Sequence, residues 1–194
     1  MKKLLTITFV LFTLSTVFAQ ITNSAHDFSG ESWNSSGEIC ITCHTPHNAN
    51  TTANTPLWNH VVTSATFTPY DNPTLDADVS AGPSGSSKLC LSCHDGTVAL
   101  DNFGGTTDGT NFISGNALLG SDLSNDHPVS FTYDAALVTA DGALNDPTAA
   151  PIADLLIDGK MECASCHNAH GARNNKFLRI ANTGSALCIT CHNK

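Results

Sequence analysis

The sequence predicts a small, mostly coil fold with short helices and few short strands, in which covalently attached cofactors organise the core. Two observations support this fold class. The eight cysteines of the 194-residue chain form four Cys-x-x-Cys pairs, and a histidine follows each pair at once. The segments between these motifs are rich in Gly, Ser, Thr, Asn, Asp and Pro and hold few periodic apolar runs, which is typical of turns and loops.

The four motifs have the spacing that attaches c-type haem to a protein. The two thiols form thioether bonds with the two vinyl groups of one porphyrin, and the following histidine binds its iron. Cys-x-x-Cys pairs also occur in zinc sites, redox dithiols and structural disulfides, but none of these requires a histidine after every pair. The sequence therefore predicts four covalently bound haem c groups, which makes the fold that of a small multihaem cytochrome. The attachment residues are Cys40, Cys43, Cys90, Cys93, Cys163, Cys166, Cys188 and Cys191, and the proximal iron ligands are His44, His94, His167 and His192.

The first 19 residues have the pattern of an export signal. Lys2 and Lys3 precede an apolar stretch, and Val17 and Ala19 are small residues at the two positions that a signal peptidase reads. The stretch is too short for a membrane-spanning helix, and no stop-transfer pattern follows it. We expect residues 1–19 to be removed and residues 20–194 to form a single tetrahaem domain without membrane insertion.

The predicted mature chain is strongly acidic. Two of the eight basic residues lie in the leader, so six remain against 17 acidic residues, which gives a formal net charge of −11. A surface of this charge disfavours nucleic acid and anionic lipid as partners.

The motifs occur in two similar halves. Each half has a Cys-x-x-Cys-His-x-x-His motif, at residues 40–47 and 163–170, followed by a plain Cys-x-x-Cys-His motif preceded by leucine. We interpret this pattern as two-haem modules at about residues 20–100 and 160–194, joined by a loop-rich connector without cysteine at residues 95–162. Short helices are expected at each motif, and residues 61–70 and 176–180 are predicted to be short strands.

The second axial ligand of each iron is expected to be histidine. Methionine is the other common choice, but Met1 leaves with the leader and Met161 is too close to Cys163 to reach the far face of that haem. All four haems are therefore predicted to be bis-histidine, with lower reduction potentials than Met/His sites. The distal candidates are His26, His47, His127 and His170, with His60 in reserve.

His47 and His170 lie three residues after a proximal histidine in their respective motifs. If that segment is helical, the two histidines of each motif share one face and cannot reach opposite sides of one haem. Each would then serve a different haem, which would bring two porphyrins close together. His127 precedes Pro128, which favours an extended backbone and a stiff arm that can reach an iron.

The choice between His26 and His60 stays open at this point. His26 lies on an N-terminal arm, which is loose in most proteins unless an interaction such as metal ligation ties it down. His60 follows Leu57 and Trp58, which we expect to pack on a porphyrin face. This neighbourhood favours His60 as the surplus histidine.

Five stretches carry a resemblance to a known family: HDFS, CITCHTPHNA, PLWN, DHPVSF and CASCHNAHG. They resemble the tetrahaem cytochromes that polymerise into extracellular filaments in metal-respiring bacteria, and the broader doubled-CxxCH multihaem family. The resemblance implies a largely coil fold in which bis-histidine haems stack in a continuous chain. It also implies that an N-terminal histidine of one subunit ligates a haem of the next, a role that falls to His26 and makes a second copy of the chain a partner.

The sequence thus predicts a secreted tetrahaem electron-transfer protein, in an extracellular filament or at the cell surface, that exchanges electrons with other redox proteins or extracellular acceptors. The alternative is a monomeric periplasmic tetrahaem shuttle with the same coordination. A multihaem reductase would need one iron with an open position, and five spare histidines argue against it. No catalytic residue is predicted.

Overall fold

The computed structural model describes residues 21–51, 57–171 and 174–193, so the predicted leader lies outside the described residues. The helices are α1 (Gly85–His94), α2 (Ala135–Asp141), α3 (Ile152–Leu155), α4 (Cys163–Cys166) and α5 (Ala186–Cys191), with 3-10 turns at Gly115–Ala117, Asn175–Phe177 and Thr183–Ser185. Strands β1 (Phe131–Thr132) and β2 (Lys160–Met161) form one antiparallel pair, in which Phe131 lies opposite Met161. The predicted, mostly coil fold class is confirmed. Within the described ranges, no helix is long and apolar enough to cross a membrane.

Helices occur at three of the four motifs. The second motif ends α1, the third forms α4 and the fourth lies in α5. At the first motif the expected helix is limited to one turn, in which His44 N donates to Cys40 O at 2.8 Å. The helix does not continue because the next groups bond across to another segment: Asn59 N donates to Cys43 O, and Thr45 N donates to Leu57 O.

The two predicted strands are absent. Residues 61–70 and 176–180 hold only isolated bridges, Thr68 with Asp122 and Leu178 with His167. In the first segment Val61 N donates to Asn102 O, whereas Thr68 N donates to Ser121 O. Because successive backbone groups bond to different loops, no continuous ladder forms.

A small apolar cluster lies where the β1–β2 pair meets α2 and α3. Its members are Phe131, Tyr133, Leu137, Ile152 and Met161, all buried. Helix α2 is short for local reasons: the Asp134 side chain caps its start by accepting from Leu137 N at 2.9 Å, and Gly142 ends it at a φ of 71°.

The Tyr133 hydroxyl connects this cluster to the fourth motif. It lies 2.9 Å from Asn145 O and 3.1 Å from Cys191 O. We expect Tyr133→Phe to lower the free energy of unfolding by about 1 kcal/mol, because the substitution removes the hydrogen bond and leaves the apolar contacts in place. Urea unfolding measures the change, with Tyr70→Phe, a half-buried tyrosine outside the cluster, as the matched control. Equal losses in both variants would contradict a specific role for the Tyr133 hydroxyl.

Candidate haem-binding sites

Three of the four proximal histidines face a second histidine. The ring centroids are 6.1 Å apart for His26 and His94, 5.9 Å for His44 and His170, and 6.3 Å for His127 and His192. A metal–nitrogen bond of about 2 Å and a ring radius of about 1.2 Å place two imidazoles on opposite sides of one iron at a centroid separation of about 6.4 Å. The observed separations therefore match pairs of axial ligands.

Backbone carbonyls fix the orientation of three histidine rings, two of them in these pairs. The Nδ1 atoms of His94, His127 and His167 lie 2.7 Å from Ala117 O, 2.9 Å from Pro128 O and 2.8 Å from Lys176 O, respectively. A carbonyl oxygen can only accept, so Nδ1 carries the proton and Nε2 keeps a free lone pair. Metal-ligating histidines commonly have this arrangement, in which the second ring nitrogen donates to a backbone carbonyl.

His26 is held against the rest of the chain. Its ring packs on Phe177 at a centroid distance of 4.7 Å, and it faces His94 of the same chain. Burial lowers the pKa of His26, and the neighbouring His94 adds to this shift. The ring is therefore neutral near pH 7, the form in which histidine binds a metal.

His60 has a different environment. Only 1% of its surface is exposed, its Nδ1 lies 2.8 Å from Val61 O, and its Nε2 lies 3.0 Å from Ala99 O. Each ring nitrogen thus lies beside a backbone carbonyl of a different segment, one of them accepting the single N–H of the neutral ring, and Nε2 also lies 3.6 Å from Cys93 Sγ. These contacts favour the interpretation of His60 as the surplus histidine, which stays a prediction.

The remaining histidines are the distal candidate His47 and the proximal His167, and both are exposed. The chain is not helical after the third motif, because His167 ends α4 with an extended backbone, at φ −113° and ψ 144°. The assumption of a helix here, in which His167 and His170 would share one face, is therefore wrong. His170 instead faces the first motif because the chain turns away from α4.

The attachment cysteines of different motifs lie close together. The Cys90 and Cys163 thiols share a hydrogen bond, which lowers the pKa of Cys163 to about 7 and raises that of Cys90. The second and third motifs therefore meet at their first cysteines. None of the eight cysteines, all of which the structure describes, forms a disulfide.

The other motifs adjoin in the same order. Burial raises the pKa of Cys93 to about 12, and the nearby Cys43 of the first motif adds to the shift. Burial also raises the pKa of Cys166, with further contributions from its own-motif Cys163 and from Cys188 of the fourth motif. The first motif thus lies near the second, and the third lies near the fourth.

The donor set fits haem. In the part of the chain that the structure describes, no group of three or more His, Cys, Asp or Glu side chains is placed to hold a metal ion by itself. Haem needs less from the protein, because the porphyrin supplies four iron ligands and the protein only two. The three imidazole pairs and the cysteine pairs are the residue types that would hold such a group.

Two charged residues that hold the third motif were missed in the sequence. The Arg179 guanidinium donates to Asp154 O at 2.7 Å and to Ala164 O, within the motif, at 3.2 Å. Glu162, directly before Cys163, forms a capping box with Ser165. This box has Glu at the N-cap and Ser three residues later, the reverse of the usual order, so the standard sequence signature does not indicate it. The contacts of Arg179 are tertiary and left no sequence signal.

A family model described as "Doubled CXXCH motif" matches residues 157–194. The match covers the third and fourth motifs and indicates a haem-binding, electron-transferring protein of the c-type cytochrome kind. Among curated proteins, none matches the chain.

Proposed function

We propose that this chain is an exported tetrahaem cytochrome that transfers electrons through four bis-histidine haems. The observation that carries the proposal is the set of three histidine pairs at separations of 5.9 to 6.3 Å, each joining a motif histidine to a distant one. Histidines that merely lie on surface loops are not expected to form three separate pairs at this distance.

The proposed axial pairs join both halves of the chain. They are His44 with His170, His94 with His26, His192 with His127 and, by elimination, His167 with His47. In this scheme the first and third motifs exchange their extra histidines: His170 serves the first haem and His47 serves the third. The two modules are then cross-linked through iron.

Haem iron, when bound, supplies a one-electron Fe(III)/Fe(II) couple. The paired imidazoles close both axial positions, which leaves no place for a substrate and favours a carrier over a reductase. The cysteines of motifs one and two, two and three, and three and four lie near enough to influence one another's pKa, and this proximity supports a conduit in which the cofactors follow one another.

Two assemblies are compatible with this chemistry. We propose an extracellular filament or cell-surface polymer as the first, in which the arm that carries His26 exchanges between copies and His26 ligates a haem of the neighbour, as the sequence resemblance implies. The second is a monomeric periplasmic shuttle, and the contact of His26 with His94 of its own chain favours it. In both, the partners are other redox proteins or external electron acceptors.

The proposal is tested by haem content and spin state. Intact mass and the pyridine haemochrome assay are expected to give four haems per chain, and electron paramagnetic resonance is expected to show low-spin ferric iron throughout. Two haems or fewer would contradict the cofactor assignment, and a persistent high-spin signal would favour the reductase. Negative-stain microscopy of material sheared from cells distinguishes filaments from monomers.

A further inference from the structure

We propose that Glu162 is a positioning residue shared by the second and third haem sites, and that its buried negative charge lowers the reduction potentials of both haems. This inference rests on the proposed function, because it concerns cofactors bound at those motifs. Glu162 is only 3% exposed, which is unusual for a carboxylate.

Hydrogen-bond donors from three segments surround the carboxylate. Glu162 Oε2 accepts from Ser87 N at 3.1 Å, from the Ser87 hydroxyl in a shorter contact, and from Ser130 Oγ at 3.0 Å. The backbone N–H of Ser165 also donates to this side chain, in the capping box of α4. Backbone N–H groups can only donate, so the carboxyl oxygens are the acceptors in these contacts.

These contacts join the second motif to the third. Ser87 lies three residues before Cys90 in α1, and its hydroxyl oxygen accepts from Cys163 N at 2.9 Å. Glu162 itself directly precedes Cys163. The pair Ser87 and Glu162 therefore sets the distance between α1 and α4, and with it the contact between Cys90 and Cys163.

The charge of Glu162 reaches both attachment points. The carboxylate contributes to the raised pKa of Cys90 and opposes the lowering of the pKa of Cys163, so both sulfur atoms lie in its field. Solvent screens a buried charge far less than an exposed one. Ferric haem is more positive than ferrous haem, so a nearby carboxylate stabilises the ferric state and lowers the potential.

The test compares Glu162→Gln with Glu38→Gln by spectroelectrochemical titration of the whole four-haem protein. Glu38 also lies just before a motif, two residues ahead of Cys40, but it is exposed. We expect Glu162→Gln to shift the ferric/ferrous equilibrium of two of the four haems about tenfold towards ferrous, which is about 59 mV per one-electron couple. The Glu38→Gln shift is expected to be less than about threefold because water screens that charge.

Glu162→Asp distinguishes charge from shape, since it keeps the charge and alters the hydrogen-bond geometry. Its potentials are expected to stay close to those of the unaltered protein. An equal shift in Glu162→Asp and Glu162→Gln would overturn the assignment of the effect to charge, and so would an equal shift in Glu38→Gln.

Haem content and spin state are measured on every variant. Four low-spin haems with unchanged potentials in Glu162→Gln would overturn this inference and leave the proposed function standing. If Glu162→Gln does not bind four haems, the reduction potentials of Ser130→Ala test the inference instead. Removing a hydroxyl that partly neutralises the carboxylate is expected to lower the same two potentials, and unchanged or raised potentials would overturn the inference.

Discussion

Replacing His26 with alanine is expected to convert one of four haems from low spin to high spin while all four stay attached. His26 is placed opposite His94, whereas the attachment of that haem depends on Cys90 and Cys93, which the substitution leaves intact. The haem would keep one protein ligand and open its other axial position. Electron paramagnetic resonance and the near-infrared spectrum of the ferric protein measure the fraction converted, expected to be about one quarter of the haem.

His60→Ala is the matched control for that substitution. Both ring nitrogens of His60 face backbone carbonyls, so we expect a loss of about 1–3 kcal/mol in the free energy of unfolding from unsatisfied buried groups, with every haem still low-spin. A high-spin signal in His60→Ala, and none in His26→Ala, would exchange the roles of the two histidines.

A chain produced without haem attachment is expected to be unfolded. The apolar cluster around Phe131 and Met161 has five buried members, and most of the remaining described chain is irregular. Burial of so few side chains does not offset the conformational entropy lost on folding. Attached porphyrins would add large apolar surfaces and, through iron, link segments that are distant in sequence.

Far-ultraviolet circular dichroism and limited proteolysis measure this effect on protein made in a compartment without haem attachment. We expect no cooperative thermal transition and rapid cleavage throughout residues 95–162. The four-haem protein, made from the same gene with the attachment machinery, is the control. A cooperative transition in the haem-free chain would show that the apolar cluster is sufficient, and would contradict a core organised by haem.

The elements predicted correctly from sequence are those fixed by local spacing. Each Cys-x-x-Cys-His motif is a short local unit, and three of the four motifs lie in helices, as the sequence predicts. The segment 61–70 has the β-branched residues of a strand, but a strand also needs a partner of matching register. Its backbone groups bond to separate loops, which no pattern within the segment indicates.

For the histidine pairs, too, the sequence predicts the local part and not the tertiary contacts. The sequence identified the distal candidates by elimination, but their partners depend on where the chain returns. His170 and His44 meet because the third motif packs near the first, and the sequence contains no signal of that contact. Glu162 was missed for a similar reason, since its serine partners, Ser87 and Ser130, are remote in sequence.

The distance along the chain between paired histidines has a consequence for maturation. His44 and His170 are 126 residues apart. On the proposed export, with the amino terminus emerging first, His44 and both cysteines of its motif are available long before His170. On the proposed pairing, the first haem to be attached lacks its second axial ligand until almost the whole chain has crossed. The nearby His47 has crossed by then and is available as an incorrect ligand. On the same proposal, maturation includes a choice between early and late histidines, and correct ligation of the first haem requires that the third motif has crossed as well.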